Sequence, residues 1–247
     1  MSKTLKNKVA LVTGGSRGMG AATACALARE GADVAISYVA AEAKAHAIVR
    51  ELQKEGVRAA AFRADQASRG EVERLITSVV ERFGRLDILV NNAGVCIPGP
   101  IDSSDVAAFD RQQAINVDGV VTAIRAAAKV MPEGGRIITI GSGLAARTAF
   151  PGVTDYAATK AAVVAYSKGA ARELAPRGIT VNVVQPGAID TDMNPANGPF
   201  SAPNIALTAL GRYGRPEEIG APVAFLASPA ASYITGAVLD VDGGASA

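Results

Sequence analysis

The sequence predicts an α/β fold: one doubly wound domain in which a parallel sheet of about seven strands carries helices on both faces. Three observations predict it. Short β-branched runs alternate with longer helical patterns along the chain. The runs are apolar without polar alternation, which implies a sheet buried on both sides. The first run passes into the first helical pattern through a glycine-rich stretch that includes Gly14, Gly18 and Gly20.

Taken in order, VALVT precedes a helical pattern over 18–30, DVAISY one over 41–55, and AAAFRA one over 69–83. LDILVNN leads to a helix within 105–131, and RIITIGS to a helix over about 155–175. GITVNVVQP is a sixth strand, a helix begins at Arg215-Pro216-Glu217, and AVLDVDGG supplies the last strand. Residues 191–213 mix Pro, Gly and Asn with moderate hydrophobicity, as suits a mobile lid over a site better than a core element. No linker, repeat or low-complexity segment interrupts residues 1–247, which read as a single domain.

Composition narrows the function classes. At 49% hydrophobic residues with 26 glycines, the chain can build a large core with many tight turns. Its 25 basic and 23 acidic residues leave a net charge of +2, with no basic block, which argues against a nucleic-acid partner. Two cysteines, Cys25 and Cys96, cannot form a disulfide framework and fit a reducing cytosol. The start, MSKTLKNK, runs into an apolar stretch too short for a signal peptide or a membrane span, so a soluble cytoplasmic protein is expected. His46 is the only histidine and sits in an Ala/Glu/Lys-rich helical stretch. A zinc site or a Ser-His-Asp triad has too few ligands to draw on, and no metal is expected.

Ligands of such sheets bind beyond the carboxyl ends of the strands. The three glycines stand there, where unpaired N–H groups and the positive end of a helix favour a pyrophosphate. A plain tight turn would account for the glycines equally well if they stood alone. Their spacing, G-x-x-x-G-x-G within TGGSRGMG, resembles the short-chain dehydrogenase/reductase family. The resemblance continues through Asp65, NNAG at 91–94, Asn116 in INVDG, Ser142, YAATK at 156–160 and PGAIDTDM at 186–193. It implies a Rossmann domain whose glycines cradle a dinucleotide. By that resemblance, Gly14, Ser16, Arg17, Gly18, Met19 and Gly20, with Tyr38 at the end of the second strand, hold the cofactor. Asp65 meets the adenine, Asn92, Ala93 and Gly94 support cofactor and strand, and Pro186, Gly187, Ile189 and Thr191 flank the nicotinamide. Asp65 could instead cap a helix starting near Ser68.

The choice of nicotinamide rests on charge. A carboxylate about 20 residues after the glycines would hold the ribose hydroxyls of NAD. Here the strand ends Ile36-Ser37-Tyr38-Val39, and the next acid, Glu42, falls inside the following helix. A carboxylate about 4 Å from a 2′-phosphate costs about 4 kcal/mol per charge at an effective dielectric of about 20. The chain avoids that cost and offers Arg17, so NADP(H) is expected ahead of NAD(H), which is permitted rather than forbidden.

Tyr156 and Lys160 are four residues apart in a helical pattern and share a face. Carbonyl reduction needs a proton on oxygen, which a phenol can supply. A lysine cation about 5 Å away should lower the phenol by roughly two pKa units, about 3 kcal/mol. Ser142 ends RIITIGS at the carboxyl edge, where its hydroxyl can bond the substrate oxygen. The resemblance assigns Lys160 to ribose binding as well, and Asn116 to a helix distortion and a proton-relaying water. Within the family the chain is most similar to 3-oxoacyl-carrier-protein reductases and related carbonyl reductases. Arg177 matches a basic carrier-docking position, but Glu133 stands where a second basic residue is expected. A small ketone or aldehyde is thus as plausible a substrate, and Phe200, Ile205 and Leu207 of the lid suggest an apolar one. MPEGGRI and QPGAIDTDMNPANGP are similar to a nucleotide-sensing member of the same fold, which makes cyclic di-GMP binding the alternative function. Kinship further implies a homotetramer, and Ala-rich faces on the helices within 105–131 and 155–175 permit close approach.

Overall fold

The structure is a computed structural model and describes residues 3–103 and 105–247. Seven strands lie in the order β3-β2-β1-β4-β5-β6-β7, and every pairing is parallel. They are β1 (Val9–Val12), β2 (Asp33–Tyr38), β3 (Ala59–Arg63), β4 (Ile88–Asn91), β5 (Arg136–Ile140), β6 (Thr180–Pro186) and β7 (Val238–Val241). The helices between them are α1 (Gly18–Arg29), α2 (Glu42–Lys54), α3 (Arg69–Phe83), α4 (Val106–Gln113), α5 (Gly119–Val130), α6 (Thr154–Leu174), α7 (Ser201–Leu207) and α8 (Glu217–Ala227).

The apolar strands are buried on both faces because their side chains alternate between two cores. In β1, Ala10 and Val12 join Leu27 of α1, Leu52 of α2 and Val223 of α8. Val9 and Leu11 face the other way, toward Ile76 of α3, Ala123 of α5 and Val163 of α6. After β3 the chain crosses to the far side of β1 to lay down β4, so the winding reverses between β1 and β4. That reversal opens a crevice at the carboxyl ends of the two strands, and the glycine loop and NNAG both lie there.

Two segments add detail to the sequence reading. The helix expected within 105–131 is two helices separated by a wide π turn over Ala114–Asp118, which contains Asn116, where the resemblance implied a distortion. Its cause is Asn116, which is buried and grips the Val95 backbone. Its Oδ1 accepts from Val95 N at 2.9 Å, while its Nδ2 donates to Val95 O at 2.8 Å. The segment 191–213, read as irregular, contains α7, and it is tied down at its end by Tyr213. The Tyr213 hydroxyl receives a hydrogen bond from Asn204 Nδ2 at 2.9 Å and donates to Asn194 Oδ1 at 3.1 Å. Among the described residues no helix is long and apolar enough to cross a membrane.

Candidate active site

The glycine loop is shaped by what surrounds it. Gly18 has φ of +53°, a conformation that side chains rarely adopt, and opens α1. A Cβ on Gly20 would stand 2.4 Å from Gly14 O and 2.5 Å from Asn92 Nδ2, so only glycine fits there. Asn92 in turn braces the loop from β4, donating from Nδ2 to Thr13 O at 2.8 Å and to Gly14 O at 3.2 Å. The Thr13 hydroxyl accepts from the backbone N–H of both Asn92 and Ala93 at 3.0 Å. On the opposite side, Ser37 fastens the loop to β2, its Oγ accepting from Gly14 N at 3.1 Å. Thr13 and Ser37 carry no local sequence signal for this role. Only the adjacency of β2, β1 and β4 reveals it.

This cradle fits a pyrophosphate. Helix α1 has no side-chain cap and no acidic residue in its first turn, so its leading N–H groups face the crevice without a protein acceptor. The outer rim is cationic but not idle. Arg17 Nη1 lies 3.1 Å from Asp192 Oδ2, and Lys44 Nζ lies 3.7 Å from the same oxygen. Sequence reading singled out Arg17 but neither Lys44 nor the carboxylate between them.

The four residues singled out for the reaction lie close together. Ser142 follows β5 and Tyr156 and Lys160 project from α6, with Asn116 in the π turn below them. Lys160 is buried, lies 5.8 Å from the centre of the Tyr156 ring, and donates from Nζ to Ile140 O at 2.9 Å. Asn116 reaches α6 through Thr159, donating from Nδ2 to Oγ1 at 3.1 Å. Gly94 closes over both: a Cβ there would sit 3.2 Å from Asn116 Oδ1 and 3.4 Å from Lys160 Nζ.

The electrostatics differ from the simple expectation of a lysine-lowered phenol. Burial pushes Tyr156 up to about 12, the nearby Cys96 adds to the rise, and a hydrogen bond with Ser142 opposes it. Burial pulls Lys160 down to about 8, against a smaller upward pull from Cys96. Desolvation is the largest cause of both shifts. At neutral pH the phenol holds its proton and the ammonium its charge.

Ser142 and Tyr156 line a cavity of about 320 Å³ that also takes in Met19, Pro186, Gly187, Ile189 and Thr191. Its remaining walls are largely apolar, among them Cys96, Leu144, Phe150, Met193, Phe200 and Leu207. Ile205, expected beside Phe200 and Leu207, does not line it. Other expected residues are placed elsewhere. Tyr38 packs into the core against the α2 side of the sheet. Asp65 accepts from Ala67 N at 2.9 Å and pairs with Arg111 at 3.2 Å, while Ser68 is the residue that caps α3. Ser16 is buried in the loop. Arg177 is turned inward, donating to Ala128 O and Met131 O at the end of α5.

The family described as "Enoyl-(Acyl carrier protein) reductase" matches residues 14–246, from the first loop glycine to the last turn. The chain belongs to the short-chain dehydrogenase/reductase family. It is accordingly an oxidoreductase. The chain is 43% identical over 236 residues to the cyclic-di-GMP-binding biofilm dispersal mediator protein of Escherichia coli, covering 96% of each chain. It is 42% identical over 243 residues to the 3-oxoacyl-[acyl-carrier-protein] reductase of Synechocystis, covering 97% of each. A short-chain dehydrogenase from Burkholderia cenocepacia, solved in complex with NADP, superimposes with a TM-score of 0.97 at 46% identity. That match covers 99% of this chain and 100% of the other.

Proposed function

We propose that this short-chain dehydrogenase/reductase is an NADP(H)-dependent carbonyl reductase acting on a small, mainly apolar ketone or aldehyde, or on the matching secondary alcohol in reverse. One observation carries the reading: Ser142, Tyr156 and buried Lys160 converge beside a glycine cradle suited to a dinucleotide.

Bound NADPH supplies the hydride; the rest is done by this chain's side chains. The N–H groups of Gly18, Met19 and Gly20 hold the pyrophosphate, and Arg17 meets the 2′-phosphate. Lys160 binds the ribose and keeps a positive charge beside the phenol. The Ser142 hydroxyl orients the carbonyl oxygen, and Tyr156 passes its proton to that oxygen as charge develops there. Asn116 fixes Thr159 and the Val95 backbone and holds a water that relays protons toward Lys160. Asp65 serves the adenine end through the turn it anchors. Residues 191–213 form the lid, starting at Thr191 where Gly18 approaches it. The chain acts as a homotetramer in the cytoplasm.

A carrier-protein substrate is the weaker choice. Arg177 is taken up by α5 carbonyls, and Glu133 stands where a second basic contact is needed. A cavity near the lower end of the usual ligand-pocket range of roughly 300–1,000 Å³ suits a small molecule. A panel of ketones and aldehydes, followed by loss of NADPH absorbance, tests the reading directly; no turnover of any member would overturn it.

Two further outcomes follow. Arg17→Ala raises KM for NADPH about tenfold and leaves KM for NADH within about twofold, because only the former carries the phosphate. Equal effects on both cofactors would contradict the assignment of Arg17. The rate of carbonyl reduction holds level at neutral pH and declines as pH rises through about 8, where Lys160 loses its charge while Tyr156 keeps its proton. A rate profile flat to about pH 10 would exclude Lys160 as the group that titrates.

Likeness to the Escherichia coli mediator supports a second reading, cyclic di-GMP sensing. A pure sensor has no need of Ser142, Tyr156 and Lys160 together, so reduction is preferred. Calorimetry with cyclic di-GMP beside NADPH separates them, tight binding of the former alone favouring the sensor.

A further inference from the structure

The cavity holds two charged side chains among its described lining, Arg147 and Asp242, and they are used very differently. The Asp242 carboxylate is saturated by the chain that follows it: Oδ1 accepts from Gly244 N at 2.9 Å and Oδ2 from Ser246 N at 2.8 Å. Arg147, by contrast, sits on the loop after Ser142 and donates once, from Nη1 to Ala245 O at 3.3 Å. Among the described residues it pairs with no carboxylate. A guanidinium has five N–H donors in a planar fork, so most of its capacity remains beyond that single anchor. The donors left over can take a planar two-oxygen acceptor side-on. Leu144, Phe150 and Pro151, carried on the same stretch of chain as Arg147, are among the apolar residues lining the same cavity.

Resting on the reductase reading, we propose that Arg147 is a specificity-determining residue that selects carbonyl substrates bearing a carboxylate at the end away from the ketone. The carbonyl faces Ser142 and Tyr156, the apolar body fills the cavity, and the carboxylate meets the Arg147 fork at the mouth. Because Arg147 is exposed, the interaction is modest and weakens with salt.

A matched pair of ketones tests it: 4-acetylbenzoate and its methyl ester, which share the ring and the carbonyl and differ in charge. The wild-type protein, with NADPH, has the higher kcat/KM for the acid. Arg147→Gln raises KM for the acid about tenfold with kcat nearly unchanged, and alters the ester by less than about twofold. Arg147→Lys restores part of the loss, and Arg147→Glu reverses the preference. Equal effects on acid and ester, or none on either, would overturn the proposal, since a loosened tail at Ala245 would affect both alike. Calorimetric binding of 4-acetylbenzoate to wild type and Arg147→Gln is measured in parallel. If neither ketone turns over but the acid binds wild type in an Arg147-dependent way, the anion site stands and the reductase reading falls. Binding that ignores Arg147 overturns the anion site alone.

Discussion

Tyr156→Phe abolishes carbonyl reduction, lowering kcat by about 10³-fold while NADPH binds as before. The change removes one oxygen and keeps the ring, so the contacts of α6 and the position of Lys160 beside the ring are preserved. The lost oxygen is the only phenol among the described cavity walls. With the phenol pushed up to about 12, its proton is present throughout the neutral range. Ser142 holds a proton too, but a serine hydroxyl is a far weaker acid than a phenol and serves to orient. Stopped-flow fluorescence of bound NADPH, run beside steady-state turnover, separates the two effects. Near-normal turnover in Tyr156→Phe would remove Tyr156 from the proton transfer.

Gly20→Ala has the second large effect, and it acts on cofactor rather than chemistry. The added methyl meets the Gly14 carbonyl at 2.4 Å and the Asn92 amide at 2.5 Å. Neither can yield cheaply: one is backbone, and the other is the brace that holds Thr13 and Gly14 in place. The loop therefore moves and the leading N–H groups of α1 lose their common aim. NADPH binding weakens by about tenfold or more, at least ~1.4 kcal/mol, with kcat at saturation less affected. Gly70 offers a contrast in α3, where the nearest atom to an added methyl is Arg74 Nη1 at 3.4 Å, so Gly70→Ala should leave NADPH binding unchanged. If Gly20→Ala bound NADPH like the wild type, the cradle would not be where the pyrophosphate rests.

The fold was legible in the sequence because its strands are buried on both faces, which leaves short runs rich in β-branched residues such as VALVT and TVNVV. The positions of Gly14, Gly18, Gly20, Asn116, Ser142, Tyr156 and Lys160 were legible through spacing, and the structure gathers them at one crevice. What stayed hidden depends on elements far apart in the chain. The Val95 backbone that Asn116 grips within the π turn at Ala114–Asp118 lies 21 residues away. The Asp192 carboxylate reaches Arg17 across 175 residues. The inward turn of Arg177 depends on where α5 ends in space. Burial likewise decided the acid–base balance: the four-residue spacing brings Tyr156 and Lys160 together, but desolvation, which no spacing reports, sends their pKa values in opposite directions.

The most direct measurement is isotopic. NADPH deuterated at one or the other face of nicotinamide C4 is incubated with the enzyme and a small ketone, and the alcohol is analysed by mass spectrometry. Deuterium from one face alone, found on the carbinol carbon of the product in wild type and absent with Tyr156→Phe, is the expected result. A wild-type protein that binds NADPH yet delivers deuterium to no carbonyl compound would contradict the assignment of this site to hydride transfer.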